Sequence, residues 1–389
     1  MSLTTERVFD LASLISDEER QWQLRARAVA AEVIAPVVDD DFETKFFRRE
    51  VIGKLAEAGF LGMHIKGYGC AGASAVAYGL VCHELEAVDS AWRTFVSVQG
   101  SLAMSSIAKH GSEEQKQRYL PQMAAGKVLG CFGLTEPQGG SDPDNMLTRA
   151  HRDGDDWVIT GVKRWIGLAS LADIAIIWAK DDEGVVRGFI VPTDAPGYSA
   201  ENIEGKFAMR NSVQCEITLD GVRVPESQRL PEAKGLKAPF MCLNEARHGI
   251  TWGAMGAART CIEVAIDRST SREVFGGPIA RHQLTQAKLA DMFVEYEKGM
   301  LLSLHIGQLK DAGKLTPFQI SVGKVNSVRE ALDIARTARS ILGGDGITSA
   351  FPVMRMMANL EAVRTYEGTD EIHQLVLGRE LTGIAAFGG

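Results

Sequence analysis

Several protein classes are excluded by what this sequence lacks. The six cysteines, at positions 70, 82, 131, 215, 242 and 261, form no CxxC pair and no zinc-finger or redox-dithiol spacing. They read as reduced, mostly buried thiols of a cytoplasmic protein. There is no HExxH and the eight histidines are scattered, so no metal site is expected. Basic residues are outnumbered, 42 Lys and Arg against 50 Asp and Glu. The resulting formal charge of −8 lacks the concentrated basic footprint that nucleic acid requires. No apolar run approaches the roughly 18 residues needed to cross a bilayer. The first 17 residues show neither a secretory pattern nor an Arg-rich amphipathic one, so a soluble chain without a leader is expected. No GxGxxG follows a strand-like run. The nearest cluster, Gly343-Gly344-Asp345-Gly346, follows a helical stretch instead, which is the wrong context for a Rossmann fingerprint.

What is present is an ordinary globular composition, 45% hydrophobic and 24% charged over 389 residues, too long for one simple core. The pattern divides into three parts. Residues 1–129 read as all-α. Ser16 and Glu19 form a capping box, Pro36 ends the helix that follows, 74–87 is apolar nearly all round, and Ser112 caps another start. Residues 130–236 hold short β-type runs near 157–161, 174–178, 188–192 and 216–221, each ended by turn residues. With no helices between them they predict an antiparallel sheet or small barrel. Residues 237–389 return to long helical periodicity, with bundle helices over 280–310 and 319–342. No repeat or flexible linker separates the parts, so they should pack as one body. The fold class is α+β.

The chemistry lies in particular segments. Thr135-Glu136-Pro137-Gln138-Gly139-Gly140-Ser141-Asp142 combines glycines, which let backbone N–H groups approach a phosphate or flat ring, with two hydroxyls. Lys163-Arg164-Trp165-Ile166, Arg272-Glu273-Val274-Phe275-Gly276-Gly277-Pro278-Ile279 with Gln283, and Tyr366-Glu367-Gly368-Thr369 follow in order. Read alone, each has an ordinary structural explanation: a polar loop, a core tryptophan, a surface arginine, a capped turn. Together, over nearly the whole chain from Ser16 to Phe387, they resemble the acyl-CoA dehydrogenases. That family has an N-terminal helical domain, a middle β domain and a C-terminal four-helix bundle.

The resemblance implies FAD as cofactor. Phe132, Leu134, Thr135, Gly140, Ser141, Trp165, Ile166 and Gly167 would face it in one subunit. Arg272, Phe275, Gln283, Leu342, Gly343 and Gly344 would reach the FAD of a neighbour, with Thr369 and Glu371 also against the cofactor. The unit implied is a dimer of dimers that passes electrons to an electron-transferring flavoprotein. Glu367 would be the base that removes the proton α to the thioester while the β-hydrogen leaves as hydride. Such a base needs a pKa raised by an apolar pocket. The Glu367 backbone N–H and the flavin ribityl chain would hold the thioester oxygen.

For the acyl group, the stretch from Val88-Asp89-Ser90 through Arg93-Thr94 to Ser97, and Lys66-Gly67-Tyr68-Gly69, resemble glutaryl-CoA dehydrogenases. In these, the arginine matching Arg93 grips the distal carboxylate, with Glu86, Thr94, Ser97 and Tyr366 around it. Glu86 and Arg93 are one heptad apart and would share a face of a continuous helix. Pairing with Glu86 for structure alone is the competing explanation of Arg93. Phe240, Asn244 and Arg247 would line the channel for the CoA arm, and Ser141 and Gly368 would also touch substrate. The expected reaction is oxidative decarboxylation of glutaryl-CoA to crotonyl-CoA. Two departures stand out. Gly167 and Leu168 replace the Thr or Ser, then Asn, that the family places after Trp-Ile, removing a hydroxyl near flavin N5. Asp345 replaces a common Asn and adds negative charge. The first keeps open an alternative, a biosynthetic dehydrogenase or oxidase acting on a carrier-protein thioester or an unusual anionic acyl group.

Overall fold

The computed structural model describes residues 10–386. The first nine residues, where no leader pattern was expected, and Phe387 at the end of the resemblance lie outside the described residues. Ser16 accepts from the Glu19 N–H while the Glu19 carboxylate accepts from Ser16, and this reciprocal cap starts helix α1 (Asp17–Val29). A π-helical turn (Ala30–Ile34) carries the helix to Pro36, where the missing N–H ends it. Short helices α2 (Val38–Thr44) and α3 (Val51–Glu57) lead to α4 (Ala75–Glu86), in which every residue is buried. Glu86 and Arg93 would share a face only on a continuous helix, and the chain does not form one. The chain turns after Glu86, and α5 (Ser90–Val96) starts afresh from Asp89, whose carboxylate caps the Ala91 N–H at 2.7 Å. Glu86 and Arg93 therefore meet across a helix break rather than along one face. π-Helical turns (Ser97–Met104) join α5 to α6 (Ser105–His110), and α7 (Glu113–Ala124) begins with the Ser112–Gln115 capping box.

The middle part is a seven-stranded sheet: β1 (Gly130–Gly133), β2 (Arg149–Asp153), β3 (Asp156–Gly167), β4 (Ile174–Lys180), β5 (Val186–Pro192), β6 (Tyr198–Asn202) and β7 (Gln214–Pro225), ordered β1-β4-β2-β3-β7-β6 with β5 also on β4. Most pairs are antiparallel as expected. However, β1 runs parallel to β4, and a single bridge makes β2 parallel to β4, so the sheet is mixed. The long loop after β1 and the β2–β3 hairpin supply the crossover that a parallel pair requires. Gly161 and Gly221 do not end strands as read. Gly161, at φ +156° with a Cβ-sized space filled by Thr148, sits at a register shift inside β3, and Gly221 lies within β7. Both faces of β4 are buried: Ile174, Ile176 and Trp178 join the helical core, while Ala175, Ile177 and Ala179 join the core inside the sheet. That is why this strand reads as an unbroken apolar run.

The third part contains α8 (Lys237–Ser271), α9 (Gln283–Asp311), α10 (Pro317–Leu342), α11 (Val353–Thr365) and α12 (Asp370–Thr382). A Cβ on Gly253 would lie 2.0 Å from Glu86 Oε2, and one on Gly256 1.9 Å from the His83 carbonyl oxygen. These glycines let α8 lie directly against α4. One apolar core runs through both helical parts and under β1 and β4. Buried Asp89 ties all three together, accepting from Arg355 Nη1 at 2.7 Å, Asn211 Nδ2 at 3.2 Å and Asn359 Nδ2 at 3.4 Å. The six cysteines are unpaired, five of them buried. Among the described residues no helix is long and apolar enough to cross a membrane, and no group of three His, Cys, Asp or Glu is placed to hold a metal.

Candidate active site

Glu367 occupies the tight turn between α11 and α12, at φ +54°, a left-handed conformation disfavoured for a residue with a side chain. The turn is pinned from behind. The Glu367 carbonyl accepts from Arg247 Nε at 2.8 Å, with His373 Nε2 3.3 Å away, and Lys324 Nζ donates to the carbonyls of both Tyr366 and Gly368. The Glu367 carboxylate points into the protein, with Oε2 buried and unpartnered. Burial raises its pKa against the opposing pull of Arg93, Lys324 and Arg247. Of the two side chains able to cap this turn, Thr369 and Asp370, it is Thr369 Oγ1 that accepts from the Ile372 N–H, and Glu371 lies exposed in the first turn of α12.

Beside this carboxyl, Arg93 and Glu86 are fully buried, Nε to Oε2 at 2.5 Å. Arg93 Nη2 donates to the Tyr366 hydroxyl, which also meets Thr94 Oγ1 at 3.2 Å. Burial opposes the guanidinium charge, but Glu86 and Tyr366 keep the Arg93 pKa well above its usual value. Arg93 Nη1, Glu86 Oε1 and Ser97 Oγ have no partner. The structural pairing weighed for Arg93 is thus present, yet it uses only part of the guanidinium. Asn244 Oδ1 accepts from Arg247 Nη1 at 3.1 Å, and half-exposed Phe240 lies one turn before Asn244 on α8.

Phe132 on β1 and Leu134 are buried at the root of the 135–142 loop, with Gly140 and Ser141 exposed on it. Glu136 organises this loop. It accepts from Lys163 Nζ at 2.7 Å, from the Thr148 hydroxyl at 2.5 Å and from the N–H groups of Leu147 and Thr148, and the Lys163 charge leads the factors that hold its pKa near about 2 against burial. The Arg164 N–H donates to the Thr135 carbonyl at 2.9 Å, joining the loop to the end of β3. There Trp165, at φ +64°, is 54% exposed with the Arg164 guanidinium 5.6 Å from its ring centroid, Ile166 is buried, and Gly167 pairs with Gln214 on β7. A Cβ on Gly167 would make ordinary contact with Val98 at 3.4 Å, so space does not demand glycine here.

A second cluster lies elsewhere. Arg272 and Phe275, the latter 92% exposed, sit on a small hairpin before Gln283 at the start of α9. Lys288 Nζ, one turn on, reaches Ser340 Oγ at 3.2 Å, which brings the hairpin beside buried Leu342 and exposed Gly343 and Gly344. Asp345 pairs with Arg268 at 2.5 Å, so the negative charge read from the sequence is compensated. Among the described residues no hydrogen bond, ion pair or ring contact joins this cluster to the Thr135 loop or Trp165. Lys324 and His373 were not named from the sequence, and Glu136 and Lys163 were named only as parts of their segments, with no role of their own. For Lys324 a signal existed: with Ser327, Val328 and Ala331 it falls at i, i+3, i+4, i+7 on a buried face, where an unpaired lysine is rare.

Models of the N-terminal, middle and C-terminal domains of acyl-CoA dehydrogenases match residues 16–127, 131–222 and 233–382. The chain belongs to the acyl-CoA dehydrogenase family. Within it, the chain is similar to a glutaryl-CoA dehydrogenase from Mycobacterium smegmatis, at 56% identity and TM-score 0.97 over 99% of each chain. It is also similar to a glutaryl-CoA dehydrogenase from that organism in complex with FADH2, at 52% identity and TM-score 0.98 over 100% of each. An acyl-CoA dehydrogenase of Bacillus subtilis is 33% identical over 95% of this chain and 99% of its own length.

Proposed function

We propose that this protein is an FAD-dependent dehydrogenase of glutaryl-CoA that decarboxylates its product to crotonyl-CoA. The substrate reading rests on Arg93, a fully buried guanidinium that keeps one nitrogen unpartnered beside the candidate base. A buried cation with an open donor calls for an anion, and the distal carboxylate of a five-carbon diacid supplies one. The channel past Asn244 and Arg247 would take the CoA arm. Exposed Trp165, the hydroxyls of Thr135 and Ser141, and the bare surface at Gly140 suit an isoalloxazine ring and its ribityl chain. FAD, when bound there, accepts the β-hydrogen as hydride.

Glu367 removes the α-proton, its burial raising the carboxyl toward the weakly acidic carbon acid it must deprotonate. The Glu367 N–H stabilises the enolate oxygen that develops. Arg93 then holds the γ-carboxylate in line while the C–C bond breaks and CO2 leaves; the electron pair passes into the dienolate, whose oxygen the Glu367 N–H holds, and the proton on the Glu367 carboxyl returns to the γ-carbon to give crotonyl-CoA. The Arg272–Gly344 cluster, remote from Trp165, supports a second subunit completing each FAD site, hence a dimer of dimers. An electron-transferring flavoprotein in the cytoplasm would take the electrons.

Anaerobic titration with glutaryl-CoA tests the reading. Bleaching of the visible flavin band with crotonyl-CoA as product is the expected outcome. Absence of bleaching with flavin still bound would sink the substrate assignment. It would favour the carrier-thioester or oxidase reading, toward which the missing hydroxyl at Gly167 points.

A further inference from the structure

Three successive carbonyls of the Tyr366-Glu367-Gly368 turn end on buried donors: the first and third on Lys324 Nζ, the second on Arg247. Lys324 is 2% exposed on α10; the opposite charges acting on it are the Glu367 carboxyl and, more weakly, Asp370, which Arg329 and Arg364 already engage. Among the described residues no peptide bond is cis. In a trans peptide the C=O and N–H point in opposite directions, so a cation on the Tyr366 oxygen polarises the Glu367 N–H on the far side of the same planar unit. Among the described residues, no protein group accepts from that N–H. A second trans unit, Gly368–Thr369, is polarised in the same way.

We propose that Lys324 is a positioning residue: its ammonium locks the left-handed turn at Glu367 and strengthens the Glu367 N–H as a donor to the thioester oxygen. The proposal rests on reading Glu367 as the base and its N–H as a donor to the enolate. A neutral residue of similar shape could fill the space, but it would neither hold two carbonyls nor polarise their peptides. The groups facing the Glu367 carboxyl are Arg93 and Arg247 as cations and Lys324, whose pKa burial lowers to about 7 although the Glu367 charge pulls it up, so that below that pH it stands there as an ammonium; Tyr366 and His373 are neutral and Asp370 lies beyond. Arg93 is matched by Glu86, which leaves Arg247 and Lys324 to favour the carboxylate form. Loss of Lys324 should therefore also make Glu367 harder to ionise.

The test compares the Lys324→Met and Lys324→Gln holoenzymes with wild type. Gln keeps a neutral donor for one of the carbonyls; Met keeps none. Two readouts are used: ionisation of bound acetoacetyl-CoA, an α-acidic thioester whose enolate is followed by difference absorbance, and the acid limb of kcat/KM. Losing one direct oxyanion donor costs about 10²–10³-fold, and Lys324 acts through one peptide, so Met should weaken enolate formation about ten- to a hundredfold. Both variants should move the acid limb to higher pH, because both lose the cation. Should Met fail to retain flavin, the Gln variant carries the comparison. Wild-type ionisation and an unmoved acid limb in the Gln variant would overturn the proposal, leaving Lys324 a mere structural clamp. A Glu367→Gln enzyme that still turned over would overturn the base assignment instead, so the two failures are separable.

Discussion

At the scale of single residues, the site is a buried carboxyl held among cations. Because burial raises the Glu367 pKa above its ordinary 4.5, the folded protein binds that proton more tightly than the unfolded chain does. Its contribution to stability is therefore full below pH about 4.5 and is lost as pH rises through the raised value. Glu367→Gln should abolish turnover with the flavin spectrum intact. Its Tm should also exceed wild type by a margin that grows as pH rises from about 4.5 toward neutrality. A margin that shrinks with pH would contradict the raised pKa. Arg93→Gln leaves Glu86 buried without its partner, so it should lose stability as well as substrate. Losing one member of a buried charge pair with the γ-carboxylate costs about 2–5 kcal/mol, which raises KM for glutaryl-CoA about thirtyfold or more. Butyryl-CoA, lacking that carboxylate, should be little affected. Equal effects on the two thioesters would make Arg93 purely structural.

At the scale of elements, local chemistry made the starts and stops legible. Ser16 with Glu19, Ser112 with Gln115, and Thr369 all cap where their side chains suggest. Two kinds of feature were not legible. The break between α4 and α5 depends on Asp89, which caps α5 because Arg355 and Asn359 from another domain also hold its carboxylate. The continuity of β3 through Gly161 depends on Thr148 packing where a Cβ would be. Sequence spacing sees neither partner. The glycines of α8 make a testable case of the same kind. Gly253→Ala puts a methyl on the Glu86 carboxylate, and such overpacking costs about 1–3 kcal/mol. A lowered Tm is expected, together with a higher KM for glutaryl-CoA as Arg93 is displaced. A neutral Gly253→Ala would mean that α8 can move away from α4 freely.

At the scale of the whole molecule, Asp89 joins the three domains immediately before the helix that carries Arg93. Asp89→Ala takes from the Arg355 guanidinium, itself 8% exposed, its buried carboxylate, leaving it the exposed Asp39 at 3.1 Å and the Val88 carbonyl, and removes the α5 cap. Breaking a buried ion pair from one side costs about 3–5 kcal/mol. We expect a broad or split thermal transition and weakened glutaryl-CoA binding; a single transition near the wild-type Tm would show the junction to be dispensable.

Taken by itself, the sequence determined the helix–sheet–helix order, the capped helix starts and the identity of the candidate base. All of these are written in local patterns of hydrophobicity, capping residues and motifs. Only the tertiary structure decided that Glu86 and Arg93 meet across a break and that one guanidinium nitrogen stays open. The same holds for Asp345 being neutralised and for Lys324 standing behind the base. Glu86 and Arg93 are only seven residues apart, but the other groups are far apart in the chain, and for all of them charge, burial and hydrogen-bond partners exist only once the helices have packed.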